Sequence, residues 1–346
     1  MNIDKSSPVM VTGATGYVAG HIIKKLLSVG LTVHATVRDP NNKDKLKYLN
    51  ELDQSLPGTI KYFKADLLID GDFDEPSKGC ELVMHTASPF KLDIKDPKTD
   101  LVDPAVNGTK NVLQSVNKSK DCKRVVLTSS IAAILGDAIE CEGRDSTDES
   151  YWNETSSLSH QPYSYSKVMA EKSAWEINKG QDQWDLVTVN PSLVIGPGIN
   201  PHGTSESFKL VKKMCDGTFK MGAPAFKLGA VDVRDIAEAH YKAAFTPEAK
   251  GRYIASAENT DLLTLAGHLI SKYPSGYPFP KSTLPKALVW LAAPLVGFTR
   301  KMIKFNVGYE YNLDNSKSKR ELGIEYTPLS KSIVDFFEQM IENKIV

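Results

Sequence analysis

Apolar positions along this chain follow two rhythms. Short, nearly continuous apolar runs recur at Val9 to Thr12, Thr32 to Val37, Ile60 to Phe63, Leu82 to Thr86, Val125 to Thr128 and Leu186 to Val189. They have the length of strands and lack the strict alternation of a half-exposed sheet. Between them the spacing turns helical: from Val18 onward Ile22, Ile23, Leu26 and Leu27 share one face, the lysine-rich stretch Asn41 to Leu56 is helical in part, and Pro104 to Asn117 repeats the pattern. Continuous apolar strands alternating with amphipathic helices specify a parallel sheet covered on both faces. The expected fold class is therefore α/β, a doubly wound parallel sheet with a smaller C-terminal lobe. Past Asn190-Pro191 the alternation breaks down, with Pro and Gly scattered through Gly196 to Gly203 and Tyr273 to Pro285. Residues 1–190 are expected to form the wound domain, joined by a return segment near 229–255 that re-enters the sheet around Gly229 to Tyr241. Residues 191–228 and 256–346 are expected to form mainly the second lobe. No repeat, heptad or low-complexity segment interrupts this reading.

The longest apolar run, Ala287 to Phe298, is broken by Pro294 and flanked by Lys286, Arg300, Lys301 and Lys304. It is too short for a membrane span, which needs roughly 20 residues, so a buried helix of the second lobe is expected and an interfacial membrane contact is the minority alternative. Charge narrows the partners: 42 Lys plus Arg balance 42 Asp plus Glu over 346 residues, without the basic excess of a nucleic-acid surface. Four separated cysteines, with no CxxC pair and no histidine at metal-ligand spacing, read as reduced thiols rather than disulfides or metal ligands. The first residues carry no basic region and apolar stretch of a secretory signal, so the cytoplasm is the expected compartment.

Chemistry begins at Thr12-Gly13-Ala14-Thr15-Gly16-Tyr17-Val18-Ala19-Gly20, between the first strand and the first helix. Glycines there allow a tight turn and close approach of a pyrophosphate, which a helix N-terminus attracts through its free N–H groups and partial positive charge. A dinucleotide and a Rossmann domain are expected. About 20 residues beyond the glycines, where the adenosine ribose of such a cofactor lies, the chain reads Val37-Arg38-Asp39-Pro40. A guanidinium suits a 2′-phosphate, whereas NAD calls for a carboxylate on the ribose hydroxyls. Arg38, helped by Lys45, therefore points to NADPH, with Asp39 as the competing ribose ligand for NAD.

The second signature is Tyr163-Ser164-Tyr165-Ser166-Lys167. If Pro162 opens a helix, Tyr163 and Lys167 lie one turn apart on the same face. A free phenol holds its proton to about pH 10, and a neighbouring ammonium favours the phenolate, easing proton exchange near neutrality. Leu127-Thr128-Ser129-Ser130 adds a hydroxyl at the C-terminal edge of the sheet, where doubly wound enzymes bind ligands.

These strings resemble the extended short-chain dehydrogenase/reductase superfamily and, within it, the dihydroflavonol 4-reductase-like branch. The resemblance spans nearly the whole chain and follows family order: TGATGYVAG, ATVRDP, ADLL (65–68), HTASPF (85–90), AVNGTKNVL (105–113), VVLTSS, YSYSK, VNPSLVIGP (189–197), VDVRDIAEAH (231–240) and DNSKSKRELG (314–323). It implies that Gly13, Gly16 and the backbone of Tyr17 and Val18 hold the pyrophosphate, with Arg38 and Lys45 on the 2′-phosphate. It implies Asp66 and Leu67 near the adenine, Thr86, Ala87 and Ser88 beside the riboses, and Pro191, Ser192 and Leu193 at the nicotinamide. Ser130 and Tyr163 would be catalytic, with Lys167 both catalytic and on the nicotinamide ribose. Ala19 stands where many relatives have a third glycine, a position concerned with helix packing.

The activity so implied is NADPH-dependent reduction of an aldehyde or ketone: aliphatic, aromatic or cinnamyl aldehydes, 2-oxoaldehydes or dihydroflavonol-like ketones. The apolar stretch Ile131-Ala132-Ala133-Ile134-Leu135 favours simple aldehydes and ketones over a polyhydroxylated flavonoid. An apolar pocket is expected, roofed by Pro201 to Met221 and by the helix around Leu284 to Phe298. His85 reads as structural. The alternatives are an NAD-dependent sugar-nucleotide epimerase, a 3-hydroxysteroid dehydrogenase and a catalytically idle NADP(H)-sensing regulator, with a monomer or homodimer expected in every case.

Overall fold

The computed structural model describes residues 1–89, 94–203 and 205–346. In chain order the elements are β1 (Val9–Val11), α1 (Tyr17–Ser28), β2 (Thr32–Val37), α2 (Lys43–Ser55), β3 (Thr59–Lys64), β4 (Leu82–His85), α3 (Asp103–Ser119), β5 (Arg124–Thr128), α4 (Pro162–Lys179), β6 (Asp185–Pro191), β7 (Leu193–Ile195) and α5 (Glu206–Cys215). There follow β8 (Ala223–Pro224), β9 (Lys227–Asp232), α6 (Val233–Phe245), β10 (Gly251–Ala255), β11 (Glu258–Asp261), α7 (Leu262–Lys272), β12 (Thr283–Leu284), α8 (Lys286–Ala292), α9 (Arg300–Asn306), α10 (Ser316–Leu322) and α11 (Leu329–Glu342).

Seven strands form one sheet in the order β10-β6-β5-β4-β1-β2-β3, every neighbouring pair parallel. The six strands expected from the apolar runs are all in it. Apart from the edge strand β3, whose residues are exposed or half-buried, their apolar continuity has a simple cause, because alternate side chains enter two different cores. Val9, Val11, Leu82, Met84 and Val126 pack toward α1, α2 and α6, whereas Met10, Val83, Val125 and Leu127 face α3 and α4. The chain order reverses at β1, whose neighbours are β2 and β4, so the crevice at its C-terminal end is the place for a ligand.

The return to the sheet falls at the end of the expected 229–255 segment and not around Gly229 to Tyr241. The seventh strand is β10, whereas Gly229 to Tyr241 supplies the end of β9 and most of α6. β9 belongs to a separate three-stranded sheet, parallel to β7 and antiparallel to β11. Apolar residues of that stretch, such as Ile236 and Ala239, instead form the buried face of α6 against α1. A second core joins α5, α7 and α11 through Phe208, Val211, Met214, Leu265, Leu269, Phe336 and Phe337.

The run Ala287 to Phe298 is not the buried helix expected. It folds as the seven-residue α8 and a following 3-10 turn, and of α8 only Val289 is buried, while Leu288, Trp290, Leu291 and Phe298 are exposed. Pro294 and Gly297, the latter at φ +80°, stop the helix before it is long enough to bury two faces. Among the described residues no helix is long and apolar enough to cross a membrane, and all four cysteines are free and buried.

Candidate active site

The glycine turn lies at the exit of β1. Gly13 adopts φ +65°, and a Cβ there would sit 2.9 Å from the Cβ of Ala87, so both backbone conformation and space demand glycine. Gly16 is the N-cap of α1, which has neither a side-chain cap nor an acidic residue in its first turn. Its N-terminal field is thus open to an anion. Ala19 is buried against the first core, consistent with a packing role. The Tyr17 side chain turns away from the cradle: its hydroxyl donates to the Gly196 carbonyl at 2.5 Å, and its ring meets Phe208 and Phe336. Only its backbone remains beside the turn.

Arg38 and Lys45 are exposed beyond the exit of β2, and among the described residues neither side chain has a hydrogen-bond or ion-pair partner. The Asp39 carboxylate accepts the Asn41 N–H at 2.9 Å, a turn contact that occupies one oxygen. Past β3, Asp66 accepts the Leu68 N–H at 2.9 Å and the Leu67 carbonyl is held by Asn111 of α3 at 2.8 Å. At the exit of β4 the Thr12 hydroxyl accepts the N–H groups of Thr86 and Ala87 at 3.1 and 3.0 Å. With both lone pairs engaged, it donates to His85 Nδ1 at 2.8 Å. The imidazole is therefore a neutral acceptor, and burial followed by the Lys167 charge lowers its pKa to about 3. His85 ties β4 to β1, the structural role expected.

Pro162 does occupy the first position of α4. Lys167 Nζ lies 5.5 Å from the centre of the Tyr163 ring and donates to Ser88 Oγ at 3.0 Å, so it links Tyr163 to the exit of β4. Tyr163 is 45% exposed. Ser130, at the adjacent exit of β5, is half-buried and accepts the Ala132 N–H at 3.1 Å. Ser129 is committed elsewhere, donating to buried Glu171 at 2.5 Å. Of the nicotinamide set, Pro191 ends β6, Leu193 begins β7, and Ser192 between them has a buried hydroxyl without a partner among the described residues. Most of the expected site residues thus follow the C-terminal ends of β1 to β6, with Tyr163 and Lys167 on α4 beside them, whereas Lys45 lies in α2 and Leu193 in the separate three-stranded sheet. Phe90, at the end of the HTASPF string, and Thr204, within the expected pocket roof, lie outside the described residues.

The apolar stretch after Ser130 has a structural cause. Ile131, Ile134 and Leu135 are buried with Cys141, Ile254 and Leu313 in a small core of their own, so their apolar character is a packing property and carries no information about substrate polarity. Two polar clusters escaped the sequence reading. Glu171, one turn beyond Lys167, accepts Arg252 Nε at 2.6 Å, Asn190 Nδ2 at 2.7 Å and Trp175 Nε1 at 3.1 Å, anchoring α4 to β6 and β10. Buried Asp137 binds His160 Nε2 at 2.7 Å, Gln161 Nε2 at 2.6 Å and Asn306 Nδ2 at 2.5 Å. It fixes the entry to α4, where Gln161 sits at φ +51°. The four-residue spacing from Lys167 to Glu171 was a usable signal for the first cluster; the second joins residues 137, 160 and 306, too far apart for any local pattern.

The site and fold define a class, a dinucleotide-dependent enzyme of the doubly wound type, and the comparisons place it more narrowly. Residues 9–255 match the NAD dependent epimerase/dehydratase family, and the chain belongs to that family. It is 37% identical over 338 residues to a cinnamoyl-CoA reductase of Medicago truncatula, covering 97% of this chain and 96% of that one. It is 32% identical over 327 residues to the dihydroflavonol 4-reductase of Gerbera hybrida, covering 91% and 85%. The crystal structure of yeast methylglyoxal/isovaleraldehyde reductase Gre2 complexed with NADPH superimposes with a TM-score of 0.76 at 30% identity, covering 97% of this chain and 99% of that one. The protein is an oxidoreductase of this reductase type.

Proposed function

We propose that this protein reduces the carbonyl group of a small aldehyde or ketone, with Tyr163 as proton donor. The cofactor is NADPH, and the residues present fit it: a turn closed to any side chain at Gly13, an uncapped α1 N-terminus, and the exposed cations Arg38 and Lys45 near the exit of β2. Bound there, NADPH supplies a hydride. The chain's own residues do the rest. The Tyr163 hydroxyl gives its proton to the carbonyl oxygen as negative charge develops on it, and Ser130 Oγ donates a hydrogen bond to that same oxygen. Lys167 orients the nicotinamide ribose and stabilises the phenolate left behind.

The observation that carries this reading is the position of Lys167 Nζ, 5.5 Å from the Tyr163 ring centre and 3.0 Å from Ser88 Oγ. One ammonium serves the proton donor and the cofactor edge together. Tyr163→Phe preserves the ring and removes the proton. NADPH titration by fluorescence should match the unaltered protein, while turnover of the best aldehyde falls by about 10²- to 10⁴-fold, the usual contribution of general acid catalysis. Near-normal turnover with normal NADPH binding would overturn the mechanism. The substrate class is tested by a panel of aliphatic, aromatic and cinnamyl aldehydes, 2-oxoaldehydes, ketones, dihydroflavonols and UDP-sugars. Micromolar binding of UDP-sugars without aldehyde turnover would point instead to sugar-nucleotide chemistry.

A further inference from the structure

The segment from β12 through α9 forms a small lobe of its own. Val289, Ala293, Ile303 and Val307 make its core, with Ala225, Phe226 and Leu284 packed against it. Its outer face is apolar: Leu288 is 54% exposed and Leu291 61%, with Trp290 and Phe298 over one third exposed. Trp290 and Leu291 border, with Lys286, Ala287 and Lys304, an open hollow of about 580 Å³. The charge of the segment itself is one-sided, with exposed Glu310 just beyond it. Residues 281–309 contain Lys281, Lys286, Arg300, Lys301 and Lys304 and no Asp or Glu, so in a chain of zero net charge the remainder carries five more carboxylates than cations. All five cations are exposed. Lys286 holds the face together, donating to the carbonyls of Lys304 and Val307 at 3.1 and 2.6 Å, and the Arg300 guanidinium lies 4.3 Å from the centre of the Trp290 ring.

We propose that this face docks the protein on the surface of an anionic lipid bilayer. Exposed Leu, Trp and Phe ringed by Lys and Arg satisfy both requirements of interfacial binding, apolar insertion and attraction to acidic headgroups. A second copy of the chain is a poor occupant. A symmetric contact would set this cationic face against itself. The lobe also reaches the proposed site, since Asn306 of α9 donates to Asp137 and Phe305 lies against His160, three residues before Tyr163. Docking here would bring the bilayer close to the enzyme's substrate side.

The test is co-flotation of the full chain with vesicles of phosphatidylcholine alone and of phosphatidylcholine mixed with phosphatidylserine. Binding is expected to the mixed vesicles only and to weaken with added salt. Arg300→Gln and Lys301→Gln should each lower the partition coefficient roughly fivefold, the factor equivalent to one cation near an anionic surface. Leu291→Ser should lower it further at high salt, where the apolar part dominates. Unchanged NADPH titration and thermal melting establish that each variant is folded, and neither readout depends on turnover, so this proposal can fail while the reductase reading stands. Equal partitioning to both vesicle types, no binding to either, or loss of the free face in a concentration-dependent dimer seen by light scattering would each overturn it.

Discussion

Arg38 illustrates how much can hang on one side chain that touches nothing. It is exposed and makes no hydrogen bond or ion pair among the described residues, so its replacement leaves the packing of the fold intact. Arg38→Ala should therefore leave thermal stability and NADH affinity nearly unchanged while weakening NADPH by about 1.5–3 kcal/mol, the range for a hydrogen bond to a charged group. Isothermal titration with the two cofactors decides it, and equal losses for both would remove the 2′-phosphate assignment. Tyr163 and Lys167 were similarly legible, because one helical turn fixes their relation regardless of the rest of the molecule. Asp137 was not. A buried carboxylate with partners at positions 160, 161 and 306 leaves no trace in any window of sequence, and only folding reveals that it sets the start of α4.

Among the elements, the strands were read well and the later helices poorly, for one physical reason. A strand buried on both faces must be apolar throughout, and that pattern survives any context. A short run such as Ala287 to Phe298 is apolar whether it faces a core or solvent, and its flanking lysines, not its hydrophobicity, marked it as a surface. The same ambiguity placed the returning strand at Gly229 to Tyr241, where β9 joins a different sheet and α6 covers the first. How the elements are locked together is clearest at β5. Arg124, fully buried, pairs with Asp185 of β6 through Nε and Nη2 at 2.8 Å each. It also donates to the carbonyls of Ala243 and Thr246 at 3.0 and 2.7 Å, closing the C-terminus of α6. Arg124→Met leaves those carbonyls and a carboxylate without their partner. Denaturant unfolding should show a loss of about 1–3 kcal/mol, the range for buried acceptors left unsatisfied, because the remaining Asp185 carboxylate is over one third exposed. A loss under 1 kcal/mol would mean that water replaces the guanidinium freely.

For the whole molecule, three buried histidines set the response to acid. Burial lowers His21 and His240 to about 4 and His85 to about 3, from an ordinary 6.5. Each is hydrogen-bonded as a neutral ring, His21 to the Pro197 carbonyl, His240 between Ile236 and Thr128, and His85 to Thr12. Because the unfolded chain binds these protons first, their stabilisation is complete above about pH 7 and is lost as pH falls from 6.5 toward 4. Each contributes a slope of up to about 1.4 kcal/mol per pH unit. Asp235 and Glu149, raised by burial, act in the opposite sense. The melting temperature should be flat above neutrality and drop through the histidine window, less steeply in His240→Gln; a flat profile down to pH 5 would refute the assignment. Tyr17 carries a last consequence, for anyone recombining this enzyme with its relatives. Its backbone belongs to the glycine turn, yet its ring and hydroxyl belong to Phe208, Phe336 and Gly196. A chimera spliced near residue 190 would inherit the tyrosine from one parent and its socket from the other, so a faithful exchange of the C-terminal part has to carry residue 17 along with it.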